Sequence, residues 1–146
     1  MTADPAALAR IHAAAFPESR GWSAIEIAKL LSHHTTLCLG DDRAFLLGRI
    51  VGDEAEILTI AISPDHRRKG HAKRLLSDFF KIASERGVSF AFLEVAADNR
   101  PARALYGTFG FEEVGLRAAY YARPSDPPVD ALLLRRALDT DPSPKG

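Results

Sequence analysis

The stretch Arg67-Arg68-Lys69-Gly70-His71-Ala72 joins an apolar run to an amphipathic segment, and this junction decides the fold. The run before it, 57–62, has the length and isoleucine content of a buried strand, which Ser63-Pro64-Asp65 ends. The segment after Gly70 has apolar residues at the spacing of a helix with one buried face: Ala72, Leu75, Leu76, Phe79, Phe80 and Ala83. The sequence therefore predicts a strand, a basic glycine turn and a helix.

This junction has the properties of an anion site. A helix N-terminus carries unpaired N–H groups and the positive end of the helix dipole, and three cations, 67–69, stand beside it. Gly70 and Ala72 let an anion approach the backbone closely. The pattern predicts a phosphate-binding loop, with a solvated basic turn as the alternative. It has neither the Gly-Lys-Ser/Thr of a nucleotide loop nor the Gly-x-Gly-x-x-Gly of a dinucleotide site.

Composition indicates one soluble globular domain, 1–138, followed by a short polar tail, 139–146, which we expect to be disordered. The net charge of zero disfavours a nucleic-acid partner. The single cysteine, Cys38, lies in an apolar run and is interpreted as a core residue. The five histidines have no ligand spacing, so no metal is expected. Without a signal peptide or membrane span, we expect a cytoplasmic monomer with no membrane partner.

Local signals outline the remaining elements. Asp4-Pro5 is typical of a helix start, and Ser23-Ala24-Ile25-Glu26 is a capping box for a second helix ending near Ser32. Gly87 closes the helix after the basic turn, and Asp98 or Asn99 caps a short one at 100–109. Strands are predicted at about 35–39, 44–51, 55–62, 89–95, 111–114 and 130–138. This order favours a mixed α/β sheet with helices on both faces.

Two separated motifs resemble those of the GNAT acetyltransferases. The 67–72 stretch resembles their pyrophosphate loop, Arg/Gln-x-x-Gly-x-Gly/Ala, which binds acetyl-CoA. The 93–111 segment resembles their second signature, closest to the bacterial ribosomal-protein alanine N-acetyltransferases of the RimI type. Its matching pieces are Leu-Glu-Val at 93–95, Asn99, Ala-Leu-Tyr at 104–106 and Gly-Phe at 110–111. Trp22-Ser23, Tyr120-Tyr121 and Asp130-Ala131 match as well, whereas His71, Ala72 and a missing first strand depart from the pattern.

The resemblance implies a single-domain GNAT fold: a mixed, mostly antiparallel sheet of six to seven strands with a central splay, flanked by about four helices. In that family the pantetheine arm of acetyl-CoA lies in the splay, here between 55–62 and 89–95. The implied cofactor-binding residues are Ile60, Ala61 and Ile62 through their main chain, Arg67, Arg68, Lys69, Gly70, His71 and Ala72 at the pyrophosphate, and Asn99 and Tyr106 along the arm.

Glu94 and Tyr106 are the candidate catalytic residues. Glu94 is the lone charge in 90–95 and would act as the base; the alternative is a salt bridge to Arg49 or Arg117. By the resemblance, the Tyr106 hydroxyl lies near the sulfur of CoA and acts as the acid; the alternative is a core tyrosine. Trp22, Tyr120 and Tyr121 would wall the peptide groove, although adjacent tyrosines also occur as ordinary strand residues.

The resemblance implies transfer of an acetyl group from acetyl-CoA to a protein N-terminal α-amine, that of alanine on a small-subunit ribosomal protein, by direct attack in a ternary complex. An α-amine has a pKa of about 7.7–8.0 against about 10.4 for lysine, so its base has less work to do. The alternatives are a lysine, another protein N-terminus or a small amine as acceptor, and an acyl-CoA-binding module without turnover.

Overall fold

The computed structural model describes residues 4–16 and 22–138. The expected tail at 139–146 and the first three residues lie outside the described ranges. The helices are α1 (Pro5–Ala15), α2 (Ala24–Leu31), α3 (His71–Glu85) and α4 (Arg100–Thr108), with one 3₁₀ turn at Pro64–His66. The strands are β1 (Thr36–Gly40), β2 (Ala44–Val51), β3 (Glu54–Ile62), β4 (Phe90–Ala96), β5 (Glu112–Tyr121) and β6 (Val129–Ala137).

The strands form one six-stranded sheet in the order β1-β2-β3-β4-β6-β5. Only the central pair, β3 and β4, is parallel, and the other pairs are antiparallel. One apolar cluster joins α3 and α4 to one face, and a second joins α1 and α2 to the other. The predicted mixed, mostly antiparallel sheet of six to seven strands with about four helices is confirmed.

The helix starts follow from their capping residues. The Ala6 N–H donates to the Asp4 carboxylate at 3.1 Å, and Ser23 and Glu26 form the predicted reciprocal capping box. Of the two candidate caps for α4, Asn99 is the one used, because its side-chain oxygen accepts from the Ala102 N–H at 3.2 Å. These bonds satisfy backbone donors that a helix N-terminus otherwise leaves unpaired.

The prediction for β5 was wrong in extent. The sequence indicated a strand at 111–114, but β5 continues to Tyr121. It is an edge strand exposed along almost its whole length, so its side chains lack the alternation that marks a half-buried strand. Backbone pairing with β6 forms the part of this strand that its own sequence does not predict. The β5–β6 pairing has two register shifts.

Two residues on the α1–α2 face, Cys38 and His12, have pKa values that burial shifts. Cys38 packs partly buried against this cluster, and burial raises the pKa of its thiol. His12 is 5% exposed and stacks on Trp22, with ring centroids 5.4 Å apart. Burial lowers the pKa of His12 to about 4, so its ring is neutral near pH 7. Among the described helices, none is long and apolar enough to cross a bilayer.

A bulge in β3 marks the centre of the sheet. Leu47 of β2 pairs with Thr59 and Gly48 pairs with Ile57, which leaves Leu58 as an extra residue. Bulges bend the strand that carries them. Gly48 lies at the same point, and the Phe79 ring of α3 packs directly against its backbone. A Cβ at Gly48 would lie 2.4 Å from Phe79 Cε1, so a residue with a side chain does not fit there. The bulge and this close contact fix α3 over the centre of the sheet.

We expect the substitution Gly48→Ala to lower the free energy of unfolding by about 1–3 kcal/mol, the usual cost of overpacking a core. Phe79 is fully buried and has no room to yield. The control is Gly107→Ala in α4, where an added Cβ meets nothing within 4 Å and should be neutral or stabilising by up to about 1 kcal/mol. Equilibrium unfolding in urea measures both, and a Gly48→Ala protein as stable as wild type would contradict the packing argument.

Candidate active site

The two central strands part beside the bulge. β3 and β4 pair only from Glu54–Phe90 to Ile57–Leu93. Beyond that point β3 stays paired with β2, and β4 stays paired with β6. The predicted splay is therefore present in the sheet. It leaves a cleft whose β3 side carries the main chain of Ile60, Ala61 and Ile62, the residues expected to contact a pantetheine arm.

The basic loop lies just past the end of β3. Arg68 and Gly70 both have left-handed backbone, with φ of 63° and 77°. Gly70 precedes the first residue of α3, and no side chain caps that helix. A Cβ at Gly70 would meet nothing within 4 Å, so the space in front of the helix is open. Arg67, Arg68 and Lys69 are exposed beside it. The geometry is that of an anion site built on backbone N–H groups.

Side chains tie this loop to both helices around it. Arg67 Nη2 donates to the Ala15 carbonyl oxygen at the end of α1, 3.3 Å away. Arg74 Nη2 lies 2.9 Å from His71 Nδ1 within the first turn of α3. The His66 and His71 rings meet edge to face at 6.2 Å. Position 71, which departs from the family pattern, therefore forms part of the wall of the loop.

Glu94 is the first residue of β4 beyond its last pair with β3. Its neighbours Leu93 and Val95 belong to the α3–α4 core, so alternation turns Glu94 to the opposite face. Its side chain is 23% exposed, and Oε2 lies 3.3 Å from Arg117 Nε. Oε2 is nevertheless buried and accepts no hydrogen bond from a described residue. Of the two arginines considered as partners, Arg117 forms the ion pair, whereas Arg49 pairs with Glu56.

Tyr106 lies on the other face of the sheet. It is 8% exposed in the α3–α4 core and meets the Phe111 ring edge to face at 5.7 Å. Burial, with a smaller contribution from the nearby Tyr121, raises the pKa of Tyr106 to about 12. The phenol therefore holds its proton throughout the neutral range. Burial raises the pKa of Tyr121, and the negative charge of Glu94 raises it further.

Arginines brace the tyrosine pair at the end of β5. The Tyr120 and Tyr121 rings pack edge to face at 5.1 Å, with Arg117 over Tyr120 and Arg123 over Tyr121. Arg123 also donates two hydrogen bonds, of 3.0 and 2.8 Å, to the Asp98 carboxylate at the end of β4. These bonds hold the pKa of Asp98 below its usual range. The sequence analysis missed this brace, because its residues lie 25 positions apart and no local pattern connects them.

The other predicted site residues have structural contacts of their own. Trp22 stacks on His12, and Asn99 caps α4 through its side-chain oxygen. Two open depressions of about 480 and 410 Å³ run along α4, and both are lined by Arg100 and Arg103. Neither is lined by Glu94 or by the basic loop.

A mixed sheet whose parallel central strands part in front of a basic helix N-terminus defines an N-acetyltransferase type of fold. The chain belongs to the acetyltransferase (GNAT) family, whose sequence profile matches residues 7–111. It is similar to the crystal structure of the ribosomal-protein-S18-alanine N-acetyltransferase from Escherichia coli. That likeness has a TM-score of 0.83 and 31% identity, and covers 92% of this chain and 88% of the other.

Sequence comparison gives related proteins. The chain is 38% identical over 95 residues to the [ribosomal protein bS18]-alanine N-acetyltransferase of Escherichia coli K12, covering 65% of this chain and 64% of that protein. It is 42% identical over 90 residues to the N-alpha-acetyltransferase RimI of Mycobacterium tuberculosis, covering 62% of this chain and 53% of that protein. The chain thus spans less than two thirds of the length of either relative.

Proposed function

We propose that the protein transfers an acetyl group from acetyl-CoA to the N-terminal α-amine of a protein, that of alanine on a small-subunit ribosomal protein. Similarity to the two relatives supports the acceptor class. The observation that carries the proposal is the position of Glu94, the first residue of β4 beyond its last pair with β3, where the strands part. A partly exposed carboxylate at this opening, ion-paired with Arg117, can accept a proton from an amine in the cleft.

The residues present fit acetyl-CoA. The uncapped start of α3 and the exposed Arg67, Arg68 and Lys69 suit its pyrophosphate, and the β3 main chain at Ile60, Ala61 and Ile62 suits the amides of its arm. His71 and Ala72 complete this loop, and Asn99 keeps its amide NH₂ group for the arm while its oxygen caps α4. When bound, the thioester supplies an acetyl group on a good leaving group.

Glu94 and Tyr106 divide the proton transfers between them. Glu94 takes the proton of the incoming ammonium, directly or through a water, and leaves a neutral amine to attack. Tyr106, which keeps its proton because its pKa is about 12, donates it at the departing sulfur, and the second proton that the nitrogen loses as the amide forms restores the phenol. Trp22, Tyr120 and Tyr121 form the acceptor side of the groove. Both substrates bind together, so no covalent enzyme intermediate is required.

The acceptor is tested with a panel of peptides of one sequence that starts with alanine. One peptide has a free N-terminus, one has a blocked N-terminus and a free lysine, and small amines complete the set. Release of CoA thiol should be fast only with the free N-terminus. Equal rates on the blocked peptide would leave acetyl transfer in place and exclude the N-terminal acceptor. Binding of acetyl-CoA without thiol release on any acceptor would indicate a binding module.

For the cofactor loop, we expect acetyl-CoA to raise the melting temperature of the wild type and not that of Gly70→Glu. A carboxylate in front of α3 repels pyrophosphate and fills the open space. Gly52→Glu is a matched control, because Gly52 has φ of 62° in an open turn remote from the loop. It introduces the same charge and similar backbone strain, and its thermal shift should equal that of wild type. A normal shift in Gly70→Glu would remove the loop from the cofactor site.

For the base, we expect Glu94→Gln to lower kcat/KM by about 10²–10⁴-fold near neutral pH, the usual range for general base catalysis. The deficit should shrink as pH rises through the amine pKa, because a neutral amine needs no base. Glu56→Gln is the control, since Glu56 is also a strand glutamate in an ion pair, with Arg49. It should retain wild-type rates. A fully active Glu94→Gln enzyme would leave Glu94 as only the ion-pair partner of Arg117.

For the acid, Tyr106→Phe should lower kcat by about 10²-fold or more while the KM for acetyl-CoA stays within about twofold, since the proton moves only in the transition state. Because the pKa of Tyr106 is about 12, the wild-type kcat should show no loss from this group between about pH 8 and 10. Steady-state kinetics across that range measures both effects. An unchanged kcat in the variant would assign Tyr106 to the core alone.

A further inference from the structure

The end of β5 next to the candidate site has an irregular backbone. Arg117 pairs with Ala131 and Tyr121 pairs with Val129, so the three residues 118–120 lie opposite the single residue Asp130. Ala119, in the middle of this bulge, has φ of 51°, a left-handed conformation that residues with a side chain rarely adopt. Such strain persists only where surrounding contacts hold it in place, and it is concentrated at functional sites.

Asp130 forms one hydrogen bond through its side chain and another through its backbone. Its Oδ1 accepts a hydrogen bond of 2.9 Å from the Ala119 N–H, in the middle of the bulge. Its backbone carbonyl accepts one of 2.8 Å from the Ala97 N–H, directly after β4. Asp130 therefore links the end of the strand that carries Glu94 to the strand that carries the tyrosine pair. No pattern in the sequence indicates this link, apart from the Asp130-Ala131 match already noted.

The bulge lies between Arg117 and Tyr121. Arg117, at its start, forms the ion pair with Glu94 and lies over the Tyr120 ring, and Tyr121, at its end, packs edge to face on Tyr120. The bulge adds two residues, so Arg117 and Tyr121 keep the same side of β5. Their partners on β6 are two residues apart, so the conformation at Ala119 brings Arg117 and Tyr121 closer along the strand than four residues of regular strand would.

We propose that Asp130 is a positioning residue for the acceptor groove. Its carboxylate holds the left-handed bulge at Ala119, which keeps Arg117 on Glu94 and the Tyr120–Tyr121 pair on Arg117, and so sets the affinity for the acceptor amine without affecting that for acetyl-CoA. This inference rests on the proposed function. It assigns Asp130 no contact with either substrate, and its effect passes through the backbone of β5.

Four variants isolate the hydrogen bond. Asp130→Ala removes the acceptor atom, and Asp130→Asn keeps an oxygen in its place. Ala119→Gly removes the cost of positive φ, and the double variant Asp130→Ala/Ala119→Gly combines both changes. The matched control is Asp41→Ala, which removes an aspartate oxygen that accepts the Arg43 N–H at 2.8 Å in the distant β1–β2 turn. The readouts are the two KM values, kcat, and hydrogen exchange of the Ala119 amide.

Asp130→Ala should raise the KM for the alanine-starting peptide about tenfold, within the range for loss of one charge-assisted hydrogen bond. The KM for acetyl-CoA should stay within about twofold, and exchange at Ala119 should accelerate about tenfold or more. Asp130→Asn and Asp41→Ala should behave as wild type. The double variant should recover part of the lost acceptor affinity, because glycine adopts the bulge conformation without strain.

Three results would overturn the inference: an unchanged acceptor KM in Asp130→Ala, an equal rise in both KM values, or unchanged exchange at Ala119. A merely structural role would lower the melting temperature without separating the two KM values. If the wild type itself acetylates none of the peptides, the proposed function fails first. An active wild type with an indifferent Asp130→Ala would contradict only the assignment of Asp130.

Discussion

Two inner parallel strands stop pairing with each other partway along their length, and the rest of the site depends on where they stop. The last pair is Ile57 with Leu93, and the extra residue Leu58 bends β3 at that point. Unpaired backbone groups in a sheet interior are costly, so such a gap persists when water or another extended segment pairs with them. The amide-containing arm of acetyl-CoA, in the proposed function, has the chemistry to pair in this way.

The same point in the sheet sets the position of the anion site. Gly48 lies opposite Ile57, and its missing side chain lets the Phe79 ring rest on the backbone. This contact packs α3 on the sheet, and the helix begins after the 3₁₀ turn and the basic loop that follow β3. Arg67 adds a bond to the end of α1 across the loop. The parting of the strands and the packing of α3 thus meet at one point of the sheet, where Gly48 lies opposite Ile57.

Sequence reasoning succeeded where the information was local. Caps, the amphipathic pattern of α3 and the alternation of buried strands follow from neighbouring residues. Glu94 was singled out as a lone charge in an apolar strand, and its catalytic role stays a prediction. Sequence reasoning failed for the extent of β5, which depends on pairing with β6. It also missed the hydrogen bonds Arg123–Asp98 and Ala119–Asp130, because each joins segments that are far apart in the sequence. The left-handed backbone of Arg68 and Ala119 was invisible for the same reason, since neither residue type favours it.

The two candidate catalytic groups lie in different environments on opposite faces of the sheet. Tyr106 is buried among apolar side chains, which raises its pKa and keeps it a proton donor. Glu94 lies across the sheet with partial access to solvent and a cation, Arg117, at 3.3 Å. In the proposed function, a thioester in the cleft between these faces would have the proposed donor, Tyr106, on one side and the proposed acceptor, Glu94, on the other, because the strands part between them.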